Sequence, residues 1–255
     1  MKKGHWLLLA AAALVAPALR VVQLRCGFDE NGLAIPGTWS AWALAAVLAA
    51  AALGFLLLAR ALPGQNENTG GLGQIFLFRS AAGAALGVCG AFGWCAAAVL
   101  TFLASSRSLL DMLLAAFSVA SAAAVLYVIA ALRRGAQTQG VALLIPVCCL
   151  MMQLIVLYRA DAADPVLARI YIEILALAAL TFSAVQRAVF SFHNGSPRAS
   201  MPIAALGVIL ALCAAADRKS VASTAFFLSL ALVELAFLSA ARWDGANEGE
   251  KAEEG

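Results

Sequence analysis

Long apolar runs broken by short polar stretches set the pattern of this chain from end to end. Eight of the runs come near the ~20 residues, range roughly 17–25, that cross a bilayer as a helix. They fall at His5–Arg25, Thr38–Leu62, Ser80–Ala104, Leu109–Leu132, Val141–Tyr158, Leu167–Phe190, Met201–Ala216 and Ala222–Ala241. The breaks between them carry Gly, Pro, Asn or charge, and none is long enough for a soluble domain. The pattern predicts an all-α polytopic transmembrane bundle of about eight spanning helices over residues 1–241. The seventh run is the shortest, at 16 residues. From Arg242 the chain turns acidic (Asp244, Glu248, Glu250, Glu253, Glu254), which predicts a disordered tail over 242–255.

Composition points the same way. Hydrophobic residues make up 64%, charged residues 12%, and the mean hydropathy is +0.92. Soluble domains carry roughly 45–50% apolar and about 25% charged residues, so lipid is the expected solvent and the bilayer the first partner. A net charge of +3, with its Lys and Arg at the ends of apolar runs, excludes nucleic acid as a partner.

Charge and aromatic placement refine the topology. With eight spans both termini share a side, which holds ten Lys and Arg residues against seven on the other. That bias, helped by Lys2–Lys3 and Arg133–Arg134, places both termini in the cytoplasm. Trp6, Trp39, Trp42 and Trp243 fall at span ends, as in an interfacial aromatic belt, while Trp94 is mid-span.

The first run imitates a secretory signal, with Lys2 and Lys3, then Trp6–Val15, then Ala16-Pro17-Ala18. Its apolar character continues through Leu19, Val21, Val22 and Leu24, which favours an uncleaved first span over a cleaved signal.

Little in the chain signals enzyme chemistry. Five cysteines (Cys89, Cys95, Cys148, Cys149, Cys213) sit inside apolar runs, and His5 and His193 are far apart. That suits packing and gives no convergent ligand set for a metal. Metalloprotease, serine-hydrolase and phosphate-loop motifs are missing, so neither an enzyme nor a cofactor is expected. Asn194-Gly195-Ser196 matches a glycosylation acceptor but falls on the expected cytoplasmic side.

Four features stand out against the apolar background. Gly83, Gly87 and Gly90 form a stripe within ~60° on the third span, with Gly93 drifting off it. Such a stripe lets two helix backbones approach closely, within the bundle or across a dimer seam. Ionisable residues inside spans are costly and therefore functional candidates. Glu173 has Arg169 one turn earlier on its own helix; Glu234 has no basic neighbour in its helix and is a candidate intramembrane ion or proton site. Arg20, Gln23, Gln153, Arg169 and Glu173 all lie within ~10 Å of the outer boundary, with Asp111, Tyr158 and Arg159 at its rim. Either they share an outward-facing polar pocket, or they are interhelical hydrogen bonds and snorkelling side chains that fix the packing. Finally, Pro17, Pro146 and Pro202 fall inside or at the start of spans, where a proline can kink a helix.

Two stretches resemble an uncharacterised family of multi-spanning membrane proteins from anaerobic Gram-positive bacteria. The first is Leu19-Arg20-Val21-Val22-Gln23-Leu24 running into Gly27-Phe28-Asp29, Gly32-Leu33 and Pro36-Gly37. The second is Tyr158-Arg159 through Asp164-Pro165-Val166-Leu167 to Tyr171 and Glu173, with Ala216-Asp217 later. The resemblance implies a bacterial plasma-membrane location and a similar topology, and brings no substrate or reaction. It groups the polar outer ends of the first, fifth and sixth spans into one pattern.

The expected function is accordingly a membrane protein with an outward-facing polar pocket for sensing or binding a small ligand. A transporter or permease component is the second reading, and a structural or assembly partner of another membrane protein, or of a second copy, is the third.

Overall fold

The computed structural model describes residues 3–29, 35, 37–60, 72–104, 109–136, 140–161, 167–192 and 195–241. The acidic tail and the chain between the second and third spans up to residue 71 lie outside the described residues. The described helices are α1 (Lys3–Cys26), α2 (Trp39–Arg60), a single turn α3 (Leu72–Ile75), α4 (Ala81–Ala104), α5 (Leu109–Arg133), α6 (Gly140–Asp161), α7 (Leu167–Ser191), α8 (Pro197–Ala216) and α9 (Val221–Ala240). All but α3 are long and apolar enough to cross a membrane. The chain is a multi-pass α-helical membrane protein.

Six helices close a ring: α4 packs on α5, α5 on α6, α6 on α7, α7 on α8, α8 on α9, and α9 returns to α4. The α1–α2 hairpin lies outside that ring against α8. Large apolar side chains such as Leu7, Leu14, Leu53, Phe92, Leu103 and Val141 face outwards. An apolar exterior of this kind is stable only against lipid tails.

The ring is tightest at α4–α9, and the glycine stripe is the reason. A β-carbon on Gly90 would come within 2.8 Å of the Ser229 carbonyl oxygen and 2.9 Å of the Val233 amide nitrogen, so backbone meets backbone. Gly87 faces Ala236 and Ile129, and Gly83 faces Ser239. The stripe is thus used inside the chain, which removes it as a dimer seam. Gly93, expected to drift off the stripe, also faces α9 at Ser229. A drift of ~80° over ten residues still leaves it within the width of a helix contact.

Two boundaries differ from the hydropathy pattern. α8 starts at Pro197, four residues before the apolar run, giving 20 residues in place of 16. Pro197 fits the first helical turn, where its missing N–H costs nothing, and Arg198 extends the helix in the interface. The long break before α4 also contains structure. After α3, Phe76–Phe78 runs extended under the bundle, with the Leu77 amide donating to the Ala240 carbonyl at 3.1 Å. Phe76 meets Phe190 and Phe237 edge-on at 5.5 and 6.0 Å, and Phe78 meets Phe237 at 5.6 Å. The apolar run Ile75-Phe76-Leu77-Phe78 was too short to register as a span.

Candidate functional site

The ring encloses a cavity of about 490 Å³ at the end where α5, α7 and α9 begin. Five helices line it. Its polar groups are Thr101 of α4, Asp111 and Ser118 of α5, Gln153 of α6, Glu173 of α7, and Ser220 and Ser223 at the start of α9. Its apolar walls include Leu114, Leu157, Leu177, Phe226 and Phe227. Ser118 and Leu177 lie nine and ten residues into their helices, so the cavity reaches ~15 Å into the bundle. Behind Phe226, the mid-span Trp94 is fully buried and packs edge-on with it at 6.1 Å.

The turn between α8 and α9 builds the rim. Asp217 caps α8, and Arg218 follows in the left-handed region at φ 48°. That position after a helix C-cap usually carries glycine, since a β-carbon is crowded there. The residues on either side hold the turn. Asp217 points down into the bundle, while the Lys219 ammonium donates to Glu173 Oε2 at 3.0 Å. Ser220 then caps α9 by accepting from the Ser223 amide at 3.0 Å. Glu173 is buried and the Lys219 side chain is 30% exposed, so a rim cation reaches a carboxylate in the cavity wall.

Beside the cavity, Arg20 anchors α1. Its Nε donates to Asp217 Oδ1 at 2.7 Å and its Nη2 to Oδ2 at 2.9 Å, a bidentate pair. Its Nη1 donates to Gln23 Oε1 at 2.9 Å, and the guanidinium lies 5.4 Å from the centre of the Tyr171 ring. Gln23 Nε2 completes the circuit by donating to the Tyr171 hydroxyl at 3.4 Å. Arg20 and Asp217 are both fully buried, so the pair is tolerable only because each charge finds the other with good geometry.

The opposite end of the bundle holds a second buried pair. Arg187 of α7 donates from Nη1 to Glu234 Oε2 at 2.5 Å and from Nη2 to Oε1 at 2.6 Å. The Ser183 hydroxyl adds a bond to Oε2 at 2.8 Å, and the Phe237 ring lies 4.7 Å below the guanidinium. Glu173 and Arg187 are fourteen residues apart, which places them ~21 Å apart along one face of α7. Leu177, Leu180, Phe227 and Leu230 are buried along the face between the two sites and belong to one continuous core. An apolar septum therefore separates the cavity from the inner pair.

Four of the five residues expected to share a pocket divide into two groups. Gln153 and Glu173 line the cavity, together with the rim residue Asp111. Arg20 and Gln23 meet in the packing network around Asp217 and are not among the described lining residues. The side chain of Arg169 lies outside the described residues, and the described ion pair of Glu173 is to Lys219. Glu234 meets Arg187, which hydropathy assigns to a span end. The signal for that pair was present in the sequence as a cation near the end of one span and an acid just past the middle of another. Asp217 was visible only as a loop residue. Among the described residues no cluster of His, Cys, Asp and Glu is arranged to hold a metal. Pro17, Pro146 and Pro202 all lie inside continuous helices, and Cys149 of α6 meets Ser118 of α5 at 3.5 Å.

Comparison with protein families, curated proteins and solved structures finds no match for this chain.

Proposed function

We propose that this protein is a plasma-membrane receptor or binding component that takes a small ligand into the cavity between α4, α5, α6, α7 and α9, without chemical turnover. The observation that carries this reading is the cavity itself. Its volume falls in the ~300–1,000 Å³ range of small-molecule sites, and its lining is apolar with a few convergent polar groups. A bundle held only by interhelical hydrogen bonds has no reason to keep such a space beside two carboxylates. The charge bias along the chain supports a mouth on the extracytoplasmic side with both termini cytoplasmic, and the family resemblance supports a bacterial plasma membrane.

The test is accessibility. In a Cys26→Ser background, Gln153→Cys should react with a membrane-impermeant thiol reagent added to intact cells, while Leu230→Cys within the septum should not. Reaction of Gln153→Cys only in inverted vesicles would reverse the orientation. No reaction from either side would end the pocket reading.

Transport is the second reading, favoured by one observation. The cavity is open at one end and backed at the other by an ion pair and four aromatic rings. That is one half of an alternating-access cycle, in which the Arg187–Glu234 pair would part when the mouth closes. The two readings separate on whether ligand crosses into protein-containing vesicles.

A further inference from the structure

The structure assigns this cavity to an amphipathic organic cation, with Lys219 as a tethered competitor for the same carboxylate. The inference rests on the ligand-pocket reading above and names the chemical class that pocket would take.

Three observations carry it. The cavity wall contains two carboxylates, Asp111 and Glu173, on different helices, and the ammonium that meets Glu173 comes from the exposed rim. Hydroxyls of Thr101, Ser118 and Ser220 and the Gln153 amide supply further acceptors for N–H donors. The remaining walls are apolar and aromatic, and Phe226 and Phe227 among them would shelter an apolar body. Helix N-termini at the same end work against a cation. Each contributes a partial charge of about +0.5 that fades within the first turn, whereas a full carboxylate in a low-dielectric wall acts at contact. Glu173 is six residues into α7, beyond that first turn, so the carboxylate dominates where a ligand would sit.

Lys219 shows which group Glu173 selects. Its ammonium already binds Oε2 at 3.0 Å, from a turn rather than from the cavity wall. The side chain is partly exposed and on a flexible stem, so its ammonium can swing out to water at small cost. A ligand ammonium entering the cavity would exchange with it like for like. No new charge is then buried, and the apolar part of the ligand adds the net gain.

The test uses the full-length protein in lipid nanodiscs, titrated with 2-phenylethylammonium, 2-phenylethanol and 3-phenylpropionate. The ammonium should bind and raise the unfolding midpoint. The alcohol should bind at least about tenfold more weakly, because it lacks the charge-assisted bond, and the acid should not bind. Glu173→Gln should weaken the ammonium about tenfold and leave the alcohol unchanged, while Lys219→Gln should tighten the ammonium severalfold. Alcohol or acid binding as tightly as the ammonium overturns the cation assignment and leaves the pocket standing. No binding by any probe, to the native protein or to Lys219→Gln, overturns both. Unchanged ammonium affinity in Lys219→Gln overturns the competitor role. If Glu173→Gln does not fold, Asp111→Asn carries the same comparison.

Discussion

Arg187 and Glu234 form a two-pronged ion pair at 2.5 and 2.6 Å between α7 and α9, buried near the end of the bundle opposite the cavity. Each residue alone would be a prohibitive charge in a span; together, with Ser183 and the Phe237 ring, they become a clasp.

Breaking that clasp from one side strands a buried charge. Arg187→Met or Glu234→Gln should each destabilise the protein by ~3–5 kcal/mol, whereas replacing both with Met and Leu should cost much less. Thermal unfolding in detergent checks this, and a double-variant loss equal to the sum of the two single losses would show that the two side chains act independently.

Arg20 ties α1 to the ring through Asp217. Asp217→Asn or Arg20→Met should loosen the α1–α2 hairpin, and Gln23→Ala should cost only about 1 kcal/mol, a neutral hydrogen bond. Limited proteolysis near residue 37 should speed up in the first two variants and change little in the third.

Gly90 sits where two backbones nearly touch. Gly90→Val should cost at least ~1–3 kcal/mol by overpacking, while Gly4→Ala, with open space around it, should be neutral. The Tm difference between the two variants measures how much of the fold rests on α4–α9.

The six cysteines differ in what covers them. Cys26 is exposed at the end of α1, Cys89 and Cys148 are exposed on helix surfaces, Cys95 is half-buried, and Cys149 and Cys213 are buried. With N-ethylmaleimide on the folded protein, Cys26 should be modified first and Cys149 and Cys213 only after unfolding, because the thiolate needs water to form. Peptide mass spectrometry reads the order directly.

Eight spans, their order and most of their borders follow from the sequence alone, because lipid imposes a one-dimensional rule. A span must be about 20 apolar residues long wherever it sits in the bundle. The same rule exposed Glu173, Glu234 and the glycine stripe, since each violates or punctuates an apolar run. Partners are a different matter. Asp217 looked like a loop residue and Arg187 like a boundary charge, yet they meet Arg20 and Glu234 across 197 and 47 residues. A similar gap hid the Phe76–Phe78 segment, which is apolar because it packs under the bundle, not because it crosses it. Helix rotation and neighbour choice decide such contacts, and Ala- and Leu-rich spans encode both only weakly. Hydropathy fixes where the polar residues fall along each span; tertiary packing alone decides that Gln153 and Glu173 face a shared cavity while Arg20 and Gln23 turn into a sealed clasp.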